Sequence, residues 1–311
     1  MKKILVLFLV FASFVYANKP QLMVNILPQK YFVEKIVKDK FDVNVMVKPG
    51  SSPHNFEPKP SQMKALNSSK AYFLVGDSSE LAWIDRFKEN TKNTLFVDTT
   101  VGIKKIPMVA HTHHEDEHED EHEDEENHDD HAHHGESEHK EYQDHEHGAD
   151  GLDPHTWLDP ISVKVQAKNI YEAMVKIDSK NSDFYKSNYE AFVKELDSLD
   201  EKIRDILKDF KGRAFMVFHP SWGYFAHRYE IEQISIEIEG KEPKPNELVK
   251  LVEEAKKHDI KIVFVSPQFS QKSAKTISKN IGANVVSINP LSDDWYNNML
   301  LVANEIAKSY R

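Results

Sequence analysis

An unbroken helical period near the middle of the chain limits what it can fold into. From Ser182 to Phe210, apolar side chains recur every three or four residues, through Tyr185, Tyr189, Phe192, Leu196, Leu199, Ile203, Ile206 and Phe210, with no Gly or Pro among them. The spacing predicts one helix of about 28 residues, ~42 Å long at 1.5 Å per residue. Such a helix either projects as a coiled-coil arm or spans two bodies as a strut.

The flanking sequence favours the strut. Before it, Leu22–Ile26, Asp42–Val47, Ala71–Val75 and Thr94–Val97 read as strands, with helical patterns opening at Pro28 and at Ser61, a candidate N-cap. After it, Ala214–Phe218, Ile260–Val265 and Asn284–Ile288 read as strands. Between and beyond them come a helix capped by Asn246 and running to Lys257, a helix from Ser270 to Ile281 closed by Gly282, and a last helix carrying Leu300, Leu301, Ala303, Ile306 and Ala307. Strands separated by helices predict parallel sheets covered by helices. The expected fold is therefore α/β, with two lobes, each a mainly parallel sheet covered by helices, joined by one long rigid helix. The expected bounds are 18–181 for the N-terminal lobe, 182–210 for the link and 211–311 for the C-terminal lobe.

Two stretches fall outside this plan. Residues 1–17 carry Lys2 and Lys3, an apolar run from Ile4 to Val15, and small residues at Val15 and Ala17. They read as a secretory signal peptide cleaved after Ala17, too short for a confident membrane span. Residues 111–147 hold 17 Asp/Glu and 12 His against the single Lys140. Such a segment has almost nothing to bury, and it reads as a mobile insertion. It also explains the net charge of −11, since the remainder of the chain is weakly positive. With no dense basic stripe in the folded parts, nucleic-acid binding is not expected. The chain has no Cys, so no thiolate can hold a metal and no Cys can carry a lipid at a processed N-terminus.

Three His outside the insertion stand at strand ends or in Pro-fixed loops. His54 lies in KPGSSPHNFEPKPSQM, His155 in DPHTWLDP and His219 in MVFHPSWGYFAHRY. Ligands of open α/β sheets bind beyond the carboxyl ends of strands, and neighbouring prolines restrict the backbone that presents each imidazole. One such His alone is best read as a hydrogen-bonded structural residue. Three together supply the convergent N ligands of a closed Zn²⁺ site.

The segments PHNFEPKPSQ, DPHTWLDP and FHPSWGYFAHRY, in that order and with the long helix and the His-rich insertion, resemble the signature stretches of metal-binding solute-binding proteins of ABC transporters, above all the zinc-uptake group. EGKEPKPNEL (Glu239–Leu248) and INPLSDDW (Ile288–Trp295) fit the second lobe of that family. The resemblance implies a periplasmic, monomeric protein that holds Zn²⁺ as cargo between its lobes and passes it to an inner-membrane ABC permease. His54 and His155 would come from the first lobe and His219 from the second. Many relatives add a carboxylate, for which Asp294 is the nearest candidate, with Asp293, Glu57 or water as alternatives. Manganese-binding relatives usually carry Glu where this chain has His219, and imidazoles suit Zn²⁺ while oxygen-rich sets suit Mn²⁺.

The same residues admit two other functions besides capture and delivery. A zinc hydrolase would also use three His and a water, but the chain has no HExxH, and Glu57 is the only local candidate for a base. An adhesin or a metal buffer would make the insertion the working part; its clusters His111–His114, His131–His134 and His145–His147 offer weak, exchangeable sites, none assigned singly. His227 and His258 read as structural or surface residues. Trp157, Trp222 and Trp295 lie beside the ligand loops, as cleft walls or as core.

Overall fold

The computed structural model describes residues 19–108, 151–238 and 240–311. The expected signal peptide and His-rich insertion lie outside the described residues.

Two four-stranded sheets share one plan. The first contains β1 (Gln21–Val24), β2 (Asp42–Val45), β3 (Ser69–Leu74) and β4 (Leu95–Asp98), in the order β2-β1-β3-β4. The second contains β5 (Ala214–Val217), β6 (Glu232–Ser235), β7 (Ile262–Val265) and β8 (Asn284–Ser287), in the order β6-β5-β7-β8. Every pairing is parallel. In each sheet the second strand lies on one side of the first and the later strands on the other. That reversal opens a crevice at the carboxyl edge, where ligand loops gather in such folds. Strand β6 was not among the strands read from sequence, although Ile234 within it and Ile236 just after it are buried in apolar alternation.

Nine helices cover the sheets among the described residues: α1 (Leu27–Val37), α2 (Pro60–Asn67), α3 (Ser78–Glu89), α4 (Pro160–Ile177), α5 (Ser182–Leu207), α6 (Gly223–Tyr229), α7 (Pro245–Lys257), α8 (Lys272–Ile281) and α9 (Trp295–Ser309). The long helix is α5, of 26 residues; it stops at Leu207 rather than Phe210. There the Phe210 N–H turns back onto the Leu207 carbonyl at 2.9 Å, and Gly212 takes a φ of 73° that begins the descent into β5. Two starts also differ from expectation. Proline sets them: Pro60 and Pro245 occupy the first turn, where a missing N–H costs nothing, ahead of Ser61 and Asn246. The Lys59 and Lys244 N–H groups are taken by Gln62 and Glu247 side chains at 2.7 and 2.6 Å. Helix α8 begins at Lys272, two residues after Ser270, and Gly282 closes it with a φ of 70°.

Helix α5 packs on α1 and α4 of the first lobe and on α9 of the second. Its buried face, Phe192, Leu196, Leu199 and Ile203, lies inside an apolar cluster that runs without a break from Leu22 and Phe32 to Phe215, Phe264 and Trp295. The Phe32 and Trp295 rings meet edge to face at 5.0 Å, so α9, last in sequence, closes against α1. The two sheets are thus joined by shared core as well as by chain. Each fully buried Leu of this face contributes about 1.5–3 kcal/mol.

Candidate metal centre

Each of the three histidines sits where a strand or a proline-bounded turn delivers it to the crevice. His54 lies in a single 3-10 turn, Pro53–Asn55, whose opening residue Ser52 accepts the His54 N–H at 3.3 Å. His155 lies between Asp153–Pro154 and the turn Thr156–Leu158, which leads to Asp159 capping α4 through the Ile161 and Ser162 N–H groups, each at 3.1 Å. His219 follows β5 by two residues, and its carbonyl accepts the Ser221 N–H at 2.8 Å.

The three imidazoles converge. Ring centroids of His54, His155 and His219 lie 4.7–5.5 Å apart, and one ligand nitrogen from each falls within 4.8 Å of the others. The Nε2 atoms of His155 and His219 are 3.3 Å apart. Two nitrogens on a tetrahedral ion with ~2.0–2.1 Å bonds are about 3.4 Å apart, so this pair already stands at metal-bound spacing. His155 is buried, while the His219 side chain is 10% and the His54 side chain 26% exposed. The solvent-facing side of the centre is therefore the His54 side.

Behind every imidazole stands a buried carboxylate. The Nδ1 atoms of His54, His155 and His219 lie 2.9, 2.7 and 2.7 Å from Asp77, Asp153 and Glu237. The His155 and His219 contacts are hydrogen bonds, and because a carboxylate only accepts, Nδ1 of each carries the proton and Nε2 turns its lone pair to the centre, while His54 stands at ion-pair distance from Asp77. Burial disfavours charge on His54, but the Asp77 carboxylate beside it prevails and raises its pKa. Burial would likewise raise Asp77, yet His54 and the Ser79 hydroxyl hold it well below the usual carboxylate range. His219 goes the other way: burial, reinforced by the neighbouring imidazoles and opposed by Glu237, lowers it to about 4. One layer further back, Glu80 accepts the Val75 and Gly76 N–H groups at 2.9 and 2.8 Å and meets the Tyr72 hydroxyl at 2.7 Å. Burial lifts Glu80 to about 8 despite those bonds. It fixes the turn from which Asp77 reaches His54.

Of the residues expected at the site, the structure gathers His54, His155 and His219 and leaves out the carboxylates. Asp294 is exposed and stands at the N-cap position of α9, where negative charge is favoured, and its carboxylate accepts the Asn297 side-chain amide at 2.9 Å. Asp293 is exposed and lines a separate inter-lobe cavity of about 210 Å³ with Lys48 and Gln268, and Glu57 is exposed. His227 is exposed on α6, and His258 ends α7 with its Nδ1 3.2 Å from Glu232. Trp157, Trp222 and Trp295 are all buried: the Trp157 ring lies 5.1 Å from that of His155, and Trp295 belongs to the shared core. Sequence reasoning missed Asp77 and Glu237, which lie far along the chain from their histidines. The available signal was position, since each carboxylate follows a strand of the same sheet at the edge that bears the ligand loops. It also missed Phe269, whose ring stacks on His219 at 4.7 Å and 25° and covers its outer face.

Two parallel-sheet lobes on a shared helix, with three aimed imidazoles between their carboxyl edges, define a two-lobed metal-binding protein. Comparison with known families makes this specific: residues 23–309 match the family described as zinc-uptake complex component A, periplasmic (ZnuA), and the chain belongs to that family. It is 28% identical over 278 residues to the zinc-binding protein AdcA of Streptococcus pyogenes serotype M3, covering 88% of this chain and 51% of the relative. It is also 28% identical to the high-affinity zinc uptake system protein ZnuA of Bacillus subtilis, covering 88% of this chain and 79% of the relative. The chain thus spans about half the length of AdcA. Among solved structures, a crystal structure of ZnuA superposes with a TM-score of 0.77 at 35% identity, covering 94% of this chain and 99% of the other.

Proposed function

We propose that this chain captures Zn²⁺ as cargo between its lobes in the periplasm and delivers it to an inner-membrane ABC permease, with His54, His155 and His219 as protein ligands and without chemistry on a substrate. The observation that carries this reading is the pair of Nε2 atoms of His155 and His219, 3.3 Å apart, each facing the other with a lone pair because its Nδ1 is tied to a carboxylate. Two lone pairs at that distance repel each other, and a cation between them turns the repulsion into coordination. The name of the B. subtilis relative, a zinc uptake protein, supports the same cargo. Three neutral imidazoles favour Zn²⁺ over Mn²⁺. The carboxylates nearest the centre hold imidazoles, and that use of them speaks against a general base for hydrolysis. Water or an exposed carboxylate brought in on closure completes the fourth position. Export by a signal peptide cleaved near Ala17, a lobe boundary on either side of residues 182–210 and a monomeric state belong to the same proposal.

The test is zinc titration, with a competing chelator, of a chain lacking residues 111–147, with and without His219→Ala. One tight site per chain should remain in the first, and His219→Ala should weaken it by more than about 100-fold, beyond the loss usual for outer-shell changes. Disappearance of tight binding with the insertion would make the insertion the working part and overturn the proposal.

A further inference from the structure

Of the stretch Phe218–Tyr229 only His219 faces the metal centre as a ligand, yet the next helix, α6, touches the His155 segment at three points. At Gly223 an added Cβ would lie 2.5 Å from Asp153 Oδ2. The Asp153 carboxylate, whose Oδ1 takes both the N–H and the Nδ1 of His155, therefore occupies the space a side chain would need. At Tyr224 the hydroxyl donates to the Asp153 carbonyl at 2.9 Å and accepts the Ile106 N–H at 3.2 Å. At Arg228 the guanidinium spans Asp159, with Nε 2.8 Å from Oδ1 and Nη2 2.9 Å from Oδ2. Asp159 is buried and caps α4 through the same oxygens, so one carboxylate joins the end of the His155 segment to both α4 and α6. Between these anchors Trp157 donates to the Pro290 carbonyl and accepts from Trp295 Nε1, both at 2.8 Å. The segment Asp153–Asp159 precedes α5 in sequence, but its front, middle and end are all held by residues that follow α5.

We propose that α6 is the template that sets His155 for metal binding, with Gly223, Tyr224 and Arg228 as positioning residues, so that His155 and His219 form a preset pair carried by the second lobe. His54 and Asp77 then complete the centre from the first lobe. The inference rests on the zinc-capture reading for its functional meaning, while the placement of the His155 ring can be tested without metal. Fork-to-fork pairing at Asp159 explains why Arg and not Lys serves at position 228: a point charge cannot hold both oxygens in one plane. Glycine at 223 serves space and not backbone freedom, since it lies in a helix where Ala is the better former.

The experiment uses the full chain and the variants Gly223→Ala, Tyr224→Phe and Arg228→Lys, with Lys35→Met, which removes a remote ion pair to Glu195 of 2.7 Å, as the control. In metal-free protein, the ring ¹⁵N shifts of His155 should report a single Nδ1–H tautomer in the parent and in Lys35→Met, and an averaged ring in the three variants. With metal, the Co²⁺ visible spectrum should change and Zn²⁺ affinity should fall by about 10-fold or more in each variant, the loss expected of outer-shell changes. Gly223→Ala can lower Tm through its clash with Asp153 alone, so positioning is read from the ring shifts and the affinity of the folded variant, which a purely structural role leaves unchanged. Should Gly223→Ala fail to fold, Tyr224→Phe, which keeps the ring, carries the same comparison. Unchanged ring shifts and affinities within twofold of the parent in folded variants would overturn the template, as would an equal loss in Lys35→Met. A parent that binds no zinc tightly would defeat the capture reading, and the metal-free shifts would still decide the template.

Discussion

An imidazole offered to a metal is only as well aimed as the group that holds its other nitrogen, and in this centre that group is charged and buried for all three rings. Glu237→Gln and Asp77→Asn keep the shape but lose the charge-assisted acceptor. Each should weaken zinc binding by about 10–100-fold with little change in the helix content of the metal-free protein, read by chelator competition and circular dichroism. Proton competition should follow the same geometry. Binding needs neutral rings, and His54, raised above its ordinary 6.5, takes a proton first as pH falls. Log affinity should decline by about one per pH unit through that first proton and steepen towards the His219 value of about 4. In the metal-free protein the sign for stability differs between the two. His219 is depressed, so its contribution is complete above about 6.5 and is lost as pH falls towards 4, on the order of 3 kcal/mol. His54 is raised, so its contribution is present below about 6.5 and is lost as pH rises through its folded value. Chemical unfolding at pH 7.5, 6 and 4.5 measures the balance, and a metal-free protein as stable at 4.5 as at 7.5 would contradict the His219 assignment. Asp153 lies only two residues from its imidazole, yet the sequence reading gave it no role beside His155. Asp77 and Glu237 are solitary carboxylates among many, and only the folding of separate strands to one edge gives them meaning.

At the scale of elements, periodicity carried further than termini did. The apolar repeat of α5 announced its length and its buried face, because a stripe that must meet core on a straight helix leaves a 3.6-residue signature. Its end was not so marked: Phe210 continues the apolar spacing and stays buried, although the backbone has already turned at Leu207. The N-caps of α2 and α7 lie two residues before Ser61 and Asn246 for a related reason. Ser61 and Asn246 have the capping side chains, but proline immediately before them fixes the first turn, and Gln62 and Glu247 satisfy the preceding N–H. Strand β6 went unread because Glu232 and Gln233 break its apolar run, with Gln233 turned to the Trp222 N–H at 2.6 Å. The buried stripe of α5 makes a direct test. Leu199→Ala leaves a cavity in the shared apolar cluster and should cost about 2–5 kcal/mol, seen as a lower denaturant midpoint at unchanged slope. A loss below about 1 kcal/mol would mean that the strut is not part of the shared core.

For the whole molecule, the question is whether two lobes behave as two bodies. Their sheets are separate, but the apolar cluster that includes Phe32, Leu199, Phe215 and Trp295 is continuous, and α9 returns to pack on α1. A lobe that unfolded alone would strip water-excluded surface from the other, so the metal-free chain should unfold in one cooperative transition despite its two sheets. Zinc should move that transition as a unit. A ligand at about 1,000 times its Kd stabilises the state that binds it by about 4 kcal/mol, which for a protein of this size raises Tm on the order of 10 °C. Calorimetry with and without zinc reads both expectations. The same continuity constrains the crevice: a large swing would have to break the Phe32–Trp295 contact and the Arg228–Asp159 pair together. Two resolved transitions, with zinc shifting only one, would show instead that the lobes are thermodynamically separate and that the long helix joins them as a hinge.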